Sequence, residues 1–301
     1  MEPIWVNTFI KHTYACIKGR GIHALVKDLD NVLKRDEEGT TYCLKLDIKK
    51  FYPSINHDIL FNDIIKKKIK DKKLLTLLQN IIYSAPGIPI GNYLSQFFAN
   101  LYLTYFDHWV KEELKCKYYF RYADDIVILH HDKEFLKRIL ISIKLYLKHV
   151  LKLEVKGNYQ VFPVEKRGID FVGYKFYHTH ILLRKSIKSR LFKTIKKYEN
   201  SKELQIHLTA YFGWLKYSNS KHLLTKIQLD TGIHYSNWKG KCSKITYFKN
   251  KHIRIYDVVK LTKQFQLNFI YNHKPYLLYS KNSKIFNYIK RNNLPLNLKI
   301  C

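Results

Sequence analysis

The chain has 301 residues, 54 Lys and Arg against 24 Asp and Glu, a formal charge of +30 and 46% hydrophobic residues. That apolar content excludes a disordered basic tail and suffices for a sizeable core, while a fold this basic repels itself unless an anion such as nucleic acid binds it. Five cysteines (Cys16, Cys43, Cys116, Cys242, Cys301) without a C-x-x-C pair argue against a disulfide scaffold or a cysteine zinc site.

In chain order, residues 42–48 alternate as a strand should, with Asp47 near the end, and Pro53 stops the pairing. Asn56-His57-Asp58 offers a cap for a basic helix running through Lys66-Lys67-Lys68 to about Tyr83. Gly87, Pro89 and Gly91 mark a loop, after which Phe98, Leu101, Tyr105 and Trp109 recur at helical spacing through 95–114. Two β-rich runs, 117–120 and 126–129, flank Arg121-Tyr122-Ala123-Asp124-Asp125 and predict a hairpin with two acids at its turn. Asp132 caps a helix with Phe135, Ile139, Ile143 and Leu147 on one face; 160–183 is β-rich; a basic helix starts near Ser186. The fold class is α+β. No apolar run reaches the roughly 20 residues of a membrane span, and Met1-Glu2-Pro3-Ile4 lacks the basic, apolar character of a signal peptide. The expectation is a cytoplasmic, bacterial or phage-encoded protein with no membrane partner.

Two places put carboxylates where a fold disfavours them: Asp47 ends an apolar strand, and Asp124-Asp125 sit at a hairpin tip. Neighbouring acids repel, and burial raises that cost unless a cation neutralises them. Asp-Asp alone is an ordinary turn pair. Combined with Asp47 in a +30 chain, it points to a two-metal site for in-line displacement at phosphorus.

Phe-Arg-Tyr-Ala-Asp-Asp-Ile-Val-Ile-Leu (120–129) resembles the Tyr-x-Asp-Asp motif of reverse transcriptases, and Leu-Asp-Ile-Lys-Lys-Phe-Tyr-Pro-Ser-Ile (46–55) resembles their first palm motif. Gly87-Ile-Pro-Ile-Gly-Asn-Tyr-Leu-Ser-Gln96 is similar to the reverse transcriptases of diversity-generating retroelements, where most others read Pro-Gln-Gly. Gln160-Val-Phe-Pro-Val, Gly168-Ile-Asp-Phe-Val-Gly-Tyr174, Leu182-Leu-Arg-Lys-Ser-Ile-Lys188 and the thumb-like Tyr211-Phe-Gly-Trp-Leu-Lys-Tyr-Ser-Asn-Ser220 resemble the same group.

The resemblance implies a right-hand polymerase palm (41–183, with fingers elements), partial fingers (1–40), a helical thumb (184–227) and a small β-rich basic appendage (228–301). Members carry tens of residues before the stretch that aligns with Glu2-Pro3-Ile4. Tyr14-Ala-Cys-Ile-Lys-Gly-Arg-Gly-Ile-His23 resembles the second fingers motif, so the chain is a shortened variant or its start is misplaced. By the same resemblance, Asp47, Asp124 and Asp125 are catalytic and bind two Mg²⁺, with Ile48 in the metal set. Tyr52 selects dNTPs by blocking the ribose 2′-OH. Ile90 replaces a glutamine that reads the incoming pair, which in that group accompanies error-prone copying at template adenines. Gly91 and Gln96 join the nucleotide site, and Lys18 and Arg20 are candidates to hold the triphosphate. Implied partners are a structured template RNA, a DNA primer or cDNA, dNTPs and a small basic accessory protein.

The helix from Ser186, through Lys188, Arg190, Lys193 and Lys197, suits duplex phosphates. Arg121 either pairs with the hairpin acids or faces the primer. His178 and His180 are a poor metal site without a third ligand, and Trp214 reads as thumb core. From Thr231 onward, 14 Lys and Arg face one acid, Asp257, with aromatics interleaved: a single-strand platform or a packing appendage. The function read from these features is error-prone RNA-directed DNA synthesis from a template-repeat RNA. The alternatives are another bacterial reverse transcriptase, of phage-defence or group II intron type, or a catalytically silent RNA-binding relative.

Overall fold

A computed structural model describes residues 2–89, 91–199 and 203–231, without the side chains of 228 and 229; beyond these it describes the backbone of five strands. It starts with two helices, α1 (Glu2–Val6) and α2 (Ile22–Arg35), the second burying Leu25, Val26, Leu29 and Leu33 at helical spacing. Strand β1 (Tyr42–Asp47) follows, then the short α3 (Phe51–Ser54). The single basic helix expected over 56–83 is instead broken. A π-type segment, Ile59–Ile65, runs into α4 (Lys66–Lys68), Ile69 is extended, and Asp71 caps a new helix, α5 (Lys72–Ile82), by accepting from the Leu74 N–H at 2.7 Å. The Asn56 cap holds, its Oδ1 accepting from the Ile59 N–H.

The helix expected over 95–114 is likewise two: α6 (Tyr93–Tyr102), capped by Asn92, and α7 (Thr104–Glu112). At the joint the Thr104 hydroxyl bonds back to the Asn100 carbonyl, a local bond that bends helices. Strands β2 (Tyr118–Tyr122) and β3 (Asp125–His130) form the expected hairpin, and Asp132 caps α8 (Lys133–His149). After β4 (Gln160–Pro163) come a helical turn, α9 (Val164–Arg167), and the short strands β5 (Ile169–Phe171), β6 (Tyr174–Phe176) and β7 (Ile181–Leu183).

The main sheet has strand order β2-β3-β1-β4, every pair antiparallel. One face, through Leu44, Leu46, Tyr119, Ile126 and Ile128, joins an apolar cluster with Trp5, Phe97, Phe98, Phe106 and Ile143 from the helices. The other face carries Cys43, Lys45 and Asp47 opposite Leu129, Val127 and Asp125. A second sheet has order β5-β6-β7.

The chain divides into two units, Met1–Leu182 and Leu183–Cys301. The second holds α10 (Lys185–Lys197), α11 (Leu204–Leu215) and α12 (Lys221–Thr231). It also holds the hairpin β8 (Ile233–Trp238) and β9 (Lys241–Tyr247), and a three-stranded sheet of β10 (Arg254–Val259), β11 (Gln266–Tyr271) and β12 (Lys274–Leu278). Among the described residues no helix is long and apolar enough to cross a membrane.

Candidate active site

Strand register brings the acids together. Asp47, the last residue of β1, lies directly across from Asp125, the first of β3, and Tyr122 pairs with Asp125 from the other side. Like charges opposed across an antiparallel pair destabilise it, so the register works against folding at this point. Asp124 stands in the hairpin turn, where its carbonyl accepts from the Ile48 N–H. The residue before it, Ala123, is left-handed at φ 53°, a conformation a residue with a Cβ adopts only under constraint.

The electrostatics follow from this packing. Burial first, and then the Asp47 charge, push the Asp124 carboxyl up to about 6. Burial also pushes Asp125 up to about 6; Lys45 opposes the rise, and Asp47 and Asp124 add to it. Asp125 Oδ2 has Lys45 Nζ at 3.4 Å, whereas Oδ1 is buried and without a hydrogen-bond partner. Lys156 Nζ stands 3.4 Å from Asp47 Oδ2, and the Lys156 N–H donates to the Asp47 carbonyl. A cleft of about 550 Å³ opens beside them, lined by Asp47, Ile48, Phe51, Asp124, Glu154 and Lys156.

Among the described residues no three His, Cys, Asp or Glu side chains converge as a ready-made metal cage. The cluster nonetheless suits a cation. It has a buried, unpartnered carboxylate oxygen and two carboxyls whose ionisation is opposed. Magnesium takes one or two carboxylates and completes its shell with water and substrate phosphates. Asp47, Asp124 and Asp125 are the residues able to hold it; Ile48 lies beside them, its side chain buried in the core.

The other predicted positions sort into two groups. Tyr52, half-buried on α3, packs edge-on to Phe51 at 5.5 Å, and its hydroxyl is raised by burial, then by Cys16 and Asp124. Its carbonyl accepts from the Ile88 N–H at 3.0 Å, and Gly87 (φ +67°) comes so close that a Cβ there would meet that carbonyl oxygen at 2.3 Å. Glycine is therefore what lets the chain at 87–88 reach Tyr52. Ile90 lies outside the described residues. On either side of it, Asn92 caps α6 through the Leu94 N–H, and the buried Ser95 hydroxyl donates to the Pro89 carbonyl at 2.5 Å. Gly91 and Gln96 are exposed.

Lys18 is exposed on the 15–21 loop. Arg20 does not share that freedom, because its Nη1 donates to the Ile10 and Thr13 carbonyls at 2.7 and 3.1 Å. Lys188, Arg190, Lys193 and Lys197 are exposed on α10, opposite the buried Ile187, Leu191 and Ile195. His178 is buried with Nε2 3.1 Å from the Thr40 hydroxyl. The side chains beyond residue 231 lie outside the described residues.

Arg121 follows neither sequence expectation. It is fully buried and pairs with Asp107 of α7, Nη2 to Oδ2 at 2.6 Å, away from the hairpin acids. Asp107 was missed in the sequence, although it occupies an apolar-stripe position with Leu103, Phe106 and Val110. An acid there, matched by an arginine two residues from Tyr119 on the same strand face, was the available signal.

The family described as reverse transcriptase (RNA-dependent DNA polymerase) matches residues 1–176. The chain is 28% identical over 240 residues to the retron Ec73 reverse transcriptase of Escherichia coli, covering 71% of this chain and 72% of that protein. It is 23% identical over 259 residues to protein YkfC of Escherichia coli K12, covering 70% and 65%. A structure of apo telomerase from Candida tropicalis truncated from its C-terminal domain matches at 15% identity and a TM-score of 0.49, over 61% of this chain and 44% of that one.

Proposed function

This chain belongs to the reverse transcriptase (RNA-dependent DNA polymerase) family, and from that premise we propose that it copies RNA into DNA at Asp47, Asp124 and Asp125 with two Mg²⁺ ions. The observation that carries the reading is the opposed pair Asp47 and Asp125 with Asp124 in the adjoining turn, an arrangement costly to the fold unless a cation neutralises it. When bound, the ions supply the charge that activates the primer 3′-oxygen and steadies the leaving pyrophosphate. The three carboxylates orient that charge along the cleft. The Tyr52 ring, packed edge-on to Phe51, lies under the sugar and excludes a 2′-OH; Lys18 meets the triphosphate; Gly91 and Gln96 border the incoming base. We assign residues 1–40 to fingers, 41–183 to fingers and palm, 184–227 to the thumb, whose α10 lysines and arginine track duplex phosphates, and 228–301 to a basic appendage.

Within the family we propose the diversity-generating type, with Ile90 in place of a reading glutamine, a template-repeat RNA as template and a small basic accessory protein as partner. The Ile90-Gly91-Asn92 and Ser95-Gln96 sequence supports it. A hydrogen-bond donor lost at a reading site lowers discrimination steeply. A retron-like activity is the second reading, favoured by the 28% identity to the Escherichia coli retron enzyme. Sequencing of cDNA made on a defined RNA separates them: substitutions concentrated at template adenines support the first, and faithful copying at adenines refutes it while leaving the polymerase intact.

A further inference from the structure

The hairpin that carries Asp124 and Asp125 rests on a buried charge with no part in the reaction described above. Arg121 and Asp107 are both without solvent exposure. Arg121 Nε donates to Asp107 Oδ1 and Oδ2 at 2.8 and 3.0 Å, and Nη2 to Oδ2 at 2.6 Å. Asp107 also accepts from the Tyr119 and Thr13 hydroxyls at 2.5 and 3.2 Å. Two buried ions carry a large desolvation cost, and apolar side chains of similar size commonly serve stability as well. What an arginine adds is direction, since its guanidinium is a rigid planar fork.

That direction is toward the turn. With one edge fixed on Asp107, Nη1 faces the other way and donates to the Ala123 carbonyl at 2.9 Å and to Asn100 Oδ1 at 3.1 Å. Ala123 is the left-handed residue immediately before Asp124. Asn100 in turn donates to the Ala15 carbonyl at 2.8 Å, and the Arg121 main chain is bracketed by the His12 carbonyl and the Tyr14 N–H. The Arg121 side chain thus ties α6, α7 and the acidic turn together, while its main chain joins them to the 12–16 segment.

We infer that Arg121 is a positioning residue: it fixes the Ala123 carbonyl so that Asp124 faces the cation site, with Asp107 and Asn100 holding it in that pose. The inference rests on the reading of the three carboxylates as metal-binding. Lysine at 121 keeps the charge beside Asp107 but has no second arm for Ala123. The test is Mn²⁺ binding to the full chain, read from the paramagnetic resonance of free Mn²⁺, with circular dichroism to establish folding and primer extension run in parallel.

Asp124→Asn should weaken Mn²⁺ binding, and Arg121→Lys should weaken it about tenfold while the chain stays folded, the scale of lost outer support for a metal ligand. A folded Arg121→Lys chain that binds Mn²⁺ as tightly as the parent overturns the inference and leaves Arg121 a structural ion pair. If Arg121→Lys does not fold, Asn100→Ala, which leaves the ion pair whole, carries the test: about threefold weaker binding supports the inference and unchanged binding overturns it. Undiminished binding by Asp124→Asn removes both the metal site and the inference. A parent that binds Mn²⁺ through Asp124 yet extends no primer refutes the polymerase reading alone.

Discussion

Replacing Asp125 by asparagine should stabilise the metal-free protein while destroying its activity. The Asp125 carboxyl is pushed up to about 6 by burial, and one of its oxygens is buried without a partner. A rise of that size corresponds to roughly 3 kcal/mol of disfavoured ionisation. The side chain retains 29% exposure and Lys45 at 3.4 Å, so solvent screening and the lost ion pair leave about 1 kcal/mol net. Because the folded carboxyl holds its proton to about pH 6, whereas an unfolded one releases it near 4, the group's contribution is fully present below about pH 4. It is lost as pH rises through 6. In EDTA at pH 8, Asp125→Asn should therefore melt about 2 °C above the parent, with the gap shrinking to roughly a third of that at pH 4.5 and closing below about pH 4. Added Mg²⁺ should raise the parent's melting temperature at pH 8 and leave the variant's nearly unchanged. Differential scanning fluorimetry across that pH range is the assay. An asparagine variant that melts no higher than the parent at pH 8 shows that the buried Asp125 carboxylate does not destabilise the metal-free fold.

Tyr52→Ala should admit ribonucleotides, raising their incorporation relative to dNTPs by on the order of a hundredfold in single-nucleotide extension; an unchanged ratio removes Tyr52 from the sugar site. Ile90→Gln should lower misincorporation at template adenines about tenfold in sequenced cDNA, and an identical error spectrum argues that Ile90 does not read the pair. Alanine at Lys188, Arg190, Lys193 and Lys197 together should flatten the salt dependence of primer–template binding, lowering the log–log slope by about 3. A slope equal to the parent's places the duplex elsewhere.

Much of the four-stranded sheet and its helices is legible because the signals are local. Alternation over 42–48 and on both sides of Arg121-Tyr122-Ala123-Asp124-Asp125 encodes the strands, and the caps Asn56 and Asp132 mark helix starts by side chains that need only the next few residues. The turn acids, and the Asp47 that stands across from Asp125, could be paired in advance because motif order constrained them. The breaks at Ile69 and Leu103 escaped notice because apolar periodicity runs through both. Asp71, a cap in the middle of the supposed helix, was the local sign of the first. The Arg121–Asp107 pair was illegible for a different reason. Whether a charged side chain points inward depends on strand register and on a helix brought alongside it, and neither is written in the residues around 121. Arg20 shows the same limit: a basic residue in a glycine-flanked loop looks free until the carbonyls of Ile10 and Thr13 are found beside it.

RNA-directed DNA synthesis by this chain, as proposed, depends on Asp47, Asp124 and Asp125. The most direct test is extension of a DNA primer on an RNA template with Mg²⁺ and dNTPs, comparing the parent with Asp124→Asn. The parent should show Mg²⁺-dependent extension, and the variant a loss on the order of 10³-fold. No incorporation by the parent, or extension that survives in Asp124→Asn, shows that these carboxylates do not make the chain a polymerase.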